Sequence, residues 1–168
     1  MQTFDQKHIK NIAFVGAKNS GKTTLTESMI FEAGLITRRG SIEEGNTVSD
    51  CHRLEKERNM SVFTTLVHTE WRNYKINILD TPGLDDFIGE IVQGVKAADT
   101  IVMVINAQHG VEPKLYGTIL TSLVNPLFLP STRLTIPMPI LTNHWLRSKN
   151  ITVTTWCKFN IHIIIMVI

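Results

Sequence analysis

Acidic residues stop at Glu112. All 15 Asp and Glu lie at or before that position, against 12 Lys and Arg, and the 56 residues that follow carry five basic groups and no acid. With about a quarter of residues charged in an average chain, so long an acid-free stretch marks a change of composition near Pro113. Cysteine is almost missing as well. Cys51 and Cys157 are isolated, with no CxxC spacing, which excludes a disulfide scaffold and a cysteine-built zinc site. The six histidines show no metal-ligand spacing either. No apolar run reaches the roughly 18 residues a spanning helix needs, and Met1 to Lys7 carry no apolar signal segment. The expectation is a cytoplasmic protein without a membrane partner. Arg38-Arg39 is too short a basic cluster to suggest DNA binding.

What is present is a phosphate-binding loop. Gly16-Ala17-Lys18-Asn19-Ser20-Gly21-Lys22-Thr23-Thr24 satisfies G-x-x-x-x-G-K-S/T at every fixed position. Glycines let such a loop curl so that backbone N–H groups face an anion. In that pattern Lys22 reaches the β- and γ-phosphates and the Thr23 hydroxyl ligates Mg²⁺, whereas Lys18 fills a variable position. Context supports the motif. His8 to Val15 reads as a buried strand, and Thr24 to Ala33 as a helix closed by Gly34, whose N-terminus adds its dipole to the anion site.

Further along, Leu35 to Val48 is punctuated by glycine and reads as a loop, and Ser49 to Arg58 as a short solvated helix with i,i+4 charge pairs. Ser61–Glu70 and Arg72–Asp80 are β-rich runs with a tight connection, the pattern of an antiparallel hairpin. The second run ends in Asp80-Thr81-Pro82-Gly83. An aspartate at the end of a strand in a chain with a phosphate loop is placed to serve Mg²⁺, and Gly83 offers an N–H near the γ-phosphate. Phe87–Ala98 has helical spacing, and Asp99–Ala107 is the continuous apolar run of a central parallel strand. The fold class expected is α/β.

These features together resemble the N-terminal GTP-binding domain of the translational GTPases, elongation factor G in particular, over about residues 9–112. The phosphate loop opens a G-K-T-T helix. Glu57-Arg58-Asn59-Met60-Ser61-Val62 is similar to the family's E-R-G-I-T-I, Leu84-Asp85-Asp86-Phe87 to its His-Val-Asp-Phe, and Ala107-Gln108-His109-Gly110-Val111-Glu112 to its A-x-x-G-V-E/Q. The resemblance implies a P-loop, three-layer fold with a mixed, mostly parallel sheet, incomplete at its C-terminal edge. It also implies GTP/GDP and Mg²⁺ as ligands, GTP hydrolysis, and the ribosome as partner. Gly16 to Thr24, Asp80 and Gly83 would then hold nucleotide, and Thr23, Ser61 and Asp80 the metal.

The chain departs from the family at Ser61, where the family has threonine, mildly at Asn19-Ser20 in the phosphate loop, and more sharply in two further features. Leu84 stands where the family has the histidine that orients the attacking water, and the base-reading N-K-x-D is missing; Asn143-His144-Trp145-Leu146 is its nearest approximation. The alternatives are therefore a GTP-binding protein with little turnover, or an inactive truncated product. Residues 1–112 are expected to form the partial GTP-binding domain. For the divergent tail, 113–168, the leading expectation is translation out of register with the upstream frame, beside a partner-binding extension or a membrane-touching end.

Overall fold

The computed structural model describes residues 3–106, 108–109, 117, 152–158 and 161–167. The elements in chain order are β1 (Ile9–Val15), α1 (Lys22–Glu32), α2 (Arg53–Arg58), β2 (Thr65–Trp71), β3 (Tyr74–Asp80), α3 (Ile88–Ala97), β4 (Thr100–Ile105), β5 (Thr152–Lys158) and β6 (Ile161–Val167), with short 3₁₀ turns before β1 and α3. The six strands form one sheet in the order β2-β3-β1-β4-β6-β5. β1 runs parallel to β3 and β4, and β4 parallel to β6, whereas the outer strands β2 and β5 are antiparallel to their neighbours. The mixed, mostly parallel α/β sheet is the one expected.

The alternation of side chains along β1 and β4 builds two cores. Ile12 and Phe14 point to one face and join Ile76, Ile78, Val102, Val104 and Leu25 of α1. Val15 points to the other, with Ile101, Met103, Ile105 and Ile91 and Val95 of α3. Helices on both faces explain why β4 has no polar face: every residue from Thr100 to Ile105 is buried.

Local chemistry sets the boundaries. α1 ends on Gly34, whose φ of 74° is a left-handed value that costs glycine nothing; Gly34 N–H bonds Phe31 O at 2.9 Å and Leu35 N–H bonds Ile30 O at 3.1 Å, a Schellman closure. The hairpin turns through Arg72 and Asn73 at φ 46° and 68°, the paired left-handed values of a two-residue type I′ turn.

Three expectations are corrected. The first hairpin strand starts at Thr65, not Ser61, because the backbone N–H groups of Val62, Phe63 and Thr64 are taken by carboxylates rather than by a neighbouring strand. The charged helix α2 forms with its expected Arg53–Glu57 pair at 2.6 Å, yet Glu55 in its middle is 1% exposed. Finally, β4 is not the last strand, since β6 pairs along it from Thr100↔His162 to Ile105↔Val167 and β5 follows as the outer edge strand. The β-branched run near the C-terminus supplies that strand. The boundary expected at 112–113, the segment Asn143–Leu146 and Ala107 and Gly110–Glu112 lie outside the described residues.

Candidate nucleotide and metal site

The phosphate loop joins the end of β1 to the start of α1, at the carboxyl ends of the parallel strands. Gly21 caps α1 with no side-chain cap hydrogen bond, the arrangement in which a helix N-terminus can receive an anion. Close approach makes two glycines obligatory. A first side-chain carbon on Gly16 would sit 2.2 Å from Val104 O, and one on Gly83 would sit 2.6 Å from Lys18 N. Lys22 is buried, and its Nζ donates to the carbonyl oxygens of Gly16 and Ala17, each at 2.9 Å. The ammonium thus holds the loop in its curl.

An open cleft of about 420 Å³, solvent included, is lined by Lys18, Asn19, Gly21, Lys22 and Thr23 from the loop and helix, by Gly83 and Leu84 after β3, and by Ile42, Asp50, Asn59, Met60 and Ser61 from the long segment between. Seven of the sequence-derived positions plus Leu84 therefore meet in one place. Gly16, Ala17 and Ser20 are buried behind the lining. Thr24 is exposed, outside the lining, with its carbonyl accepting the Ser28 hydroxyl at 2.7 Å.

The Thr23 and Ser61 hydroxyls approach to 3.4 Å, although 38 residues separate them. Asp80 is 1% exposed, and neither carboxylate oxygen has a hydrogen-bond partner; Asp50 Oδ2 is likewise buried and unpartnered. Burial pushes the Asp80 carboxyl up to about 6, an effect that the Lys22 charge and the Thr23 and Ser49 hydroxyls counter in part and Asp50 adds to. Burial also raises Asp50, while the Ser61 hydroxyl draws it down. Two buried acids facing one buried lysine leave excess negative charge among oxygen donors. That donor set fits Mg²⁺, a hard cation bound by one or two carboxylates together with substrate phosphates. Thr23, Ser61 and Asp80 would hold it, with Asp50 beside them.

Asp50 was not among the sequence-derived ligands, although it lies in the same segment as Ser61. Nor were Glu27 and Glu55, both buried, recognised as part of the site's frame. Among the described residues Cys51, His52 and Glu55 also bring ligand atoms within 4.8 Å of one another. Both Glu55 oxygens, however, already accept backbone N–H groups, so this cluster starts α2 instead of leaving a free ligand set.

A family model described as the elongation factor Tu GTP binding domain matches residues 7–124. The chain belongs to the translational GTPases. This GTPase domain is 38% identical over 104 residues to the tetracycline resistance protein TetM from transposon Tn1545 of Enterococcus faecalis, covering 62% of the present chain and 16% of TetM. It is 39% identical over 111 residues to the mitochondrial ribosome-releasing factor 2 of Culex quinquefasciatus, covering 66% and 15% of the two chains. A crystal structure of a Thermus thermophilus protein superposes with a TM-score of 0.66 at 34% identity, over 70% of this chain and 18% of that one. The bacterial selenocysteine-specific elongation factor EF-Sec shares the fold, with a TM-score of 0.51 at 22% identity over 68% of this chain and 17% of that one. The GTPase domain thus spans about a sixth of the length of the curated relatives it matches.

Proposed function

We propose that the chain binds GTP and GDP with Mg²⁺ and hydrolyses GTP, as the N-terminal domain of an elongation factor G-like translation factor acting on the ribosome in the cytoplasm. The observation that carries this reading is the Asp80 carboxylate, buried with neither oxygen hydrogen-bonded, next to Lys22 and the Thr23 hydroxyl, which itself approaches the Ser61 hydroxyl to 3.4 Å. A buried anion left so exposed to desolvation cost is accounted for by a cation ligand. When bound, Mg²⁺ supplies charge neutralisation on the phosphates. The chain's own residues do the rest. Backbone N–H groups from Gly16 to Thr24 and at Gly83 receive phosphate oxygens, and Lys22 exchanges the Gly16 and Ala17 carbonyls for them. Catalysis of this kind is positioning and electrostatics. Guanine selectivity and the ribosome as partner rest on family membership, whereas the proposed division into a GTPase domain, residues 1–112, and a divergent tail translated out of register rests on the loss of acids after Glu112.

A second reading, nucleotide binding with little turnover, is favoured by Leu84. It lines the cleft directly after Gly83, and its side chain has no atom that can orient water. Single-turnover phosphate release from bound GTP, with and without ribosomes, separates the two. Release that ribosomes accelerate supports hydrolysis, and retained GTP without release supports the second reading. Failure to retain GTP at all overturns both.

A further inference from the structure

Lys18 carries a charge for which the proposed nucleotide site has so far had no use. It fills a variable position of the phosphate loop, is exposed, and lines the cleft together with Lys22, Gly83 and Leu84. Its backbone decides which end of the cleft it serves. A first side-chain carbon on Gly83 would lie 2.6 Å from Lys18 N and also 2.6 Å from Lys22 Nζ. The loop therefore passes Lys18 against Gly83, the residue whose N–H is placed near the terminal phosphate in the proposed complex. The fold does not consume the ammonium. Among the described residues no carboxylate pairs with it, and Lys18 Nζ meets only the Met60 sulfur, at 3.8 Å. A thioether is a weak acceptor, so an anion displaces it at little cost. Lys18 is anchored between β1 and α1, and its place beside Gly83 does not depend on the segment that carries Met60.

We infer that the Lys18 side chain binds the γ-phosphate and makes the site selective for the triphosphate over the diphosphate, a role that rests on the proposed nucleotide binding. A triphosphate differs from a diphosphate by its terminal group and the negative charge this adds. Most of the site cannot sense that difference, because the loop amides that hold the inner phosphates receive both nucleotides alike. Lys22 is buried and grips the Gly16 and Ala17 carbonyls from within the loop, whereas Lys18 stands on the exposed side. The side chain of Leu84, next to Gly83, neither donates nor accepts, so it does not compete for the added group. A lysine ammonium is a compact point charge with rotatable donors, the form in which lysine binds phosphate.

The full chain carrying Lys18→Met tests the inference, because methionine keeps the length of the stem and loses the charge. Dissociation constants are measured in Mg²⁺ for GDP and for the β,γ-imido analogue of GTP, which resists hydrolysis. The parent, Lys18→Met, Lys18→Arg and a control, Lys7→Met, are compared; Lys7 is exposed and precedes β1, at the end of that strand away from the phosphate loop. Lys18→Met is expected to weaken binding of the analogue about tenfold, the fold-change of one charged hydrogen bond, and to bind GDP as the parent does. Lys18→Arg, which keeps the charge, and the control are expected to keep the parent's ratio of the two affinities. An unchanged ratio in Lys18→Met, or an equal loss of both nucleotides, overturns the inference and leaves the proposed function standing. So does a loss in Lys18→Arg as large as that in Lys18→Met, since charge would then not be the requirement. A parent that binds neither nucleotide overturns the proposed function and the inference with it.

Discussion

The Lys22 ammonium and Gly83 meet across the mouth of the site: a first side-chain carbon on Gly83 would lie 2.6 Å from Lys22 Nζ. The lysine tip could move aside, but the same carbon would lie 2.6 Å from Lys18 N and 2.7 Å from the Ala17 carbonyl carbon, which are backbone. Gly83→Ala must therefore displace the phosphate loop or the chain after β3. The expected result is a destabilisation of about 1–3 kcal/mol by thermal unfolding together with weakened GDP binding.

Lys22→Ala removes the donor that bonds the Gly16 and Ala17 carbonyls and, in the proposed complex, the phosphates. Two charged hydrogen bonds lost correspond to a fall in GDP affinity of about 100-fold or more. The core clusters on either face of the sheet do not include Lys22. Circular dichroism should therefore be unchanged while the GDP titration collapses.

Asp80 makes the unliganded domain sensitive to pH. Its carboxyl is raised from 3.8 to about 6 by burial, so the folded state binds the proton more tightly than the unfolded one. The sign follows: the penalty is absent below about pH 4 and complete above about pH 6, and stability falls as pH rises through that window. Asp80→Asn should stabilise the ligand-free chain by up to about 3 kcal/mol at pH 7 and by little at pH 4, read from urea unfolding at both pH values. The same variant should lose the Mg²⁺ dependence of GDP binding. In the parent, Mg²⁺-dependent affinity should weaken as pH drops through about 6, because protonated Asp80 is no longer an anion.

Leu84→His restores a group able to orient water at the position beside Gly83. Removing such a group typically costs about 10²–10⁴ in rate, so phosphate release should rise by a comparable factor with GDP affinity unchanged. A variant that binds GTP and releases no more phosphate than the parent would mean that the histidine position does not limit turnover.

The phosphate loop, the hairpin and β4 were legible because each depends on local pattern: fixed glycines, alternation, an uninterrupted apolar run. The acids were not. Glu27 and Glu55 look solvated when charge alone is read, since acids on helices usually face water. A trace of the truth was present for Glu27, which shares the buried stripe of Thr23, Thr26 and Ile30 at i, i+3, i+4 and i+7 spacing. For Glu55 the partners lie seven and eight residues ahead, in a stretch whose β-rich composition read as strand. Ser61 is reached through the family resemblance rather than through any local pattern, and the fold brings it to Thr23 across 38 residues; Asp50 gains meaning only from the fold. Pairing of β6 with β4 depends on a contact between positions such as Thr100 and His162, which no local pattern encodes.

The most direct test of the central claim is calorimetric titration of the purified chain with GDP and with ADP, each in Mg²⁺ and in EDTA. The account predicts GDP binding that Mg²⁺ strengthens and that exceeds ADP binding under both conditions. No binding of GDP, or equal binding of GDP and ADP with no response to Mg²⁺, would contradict it.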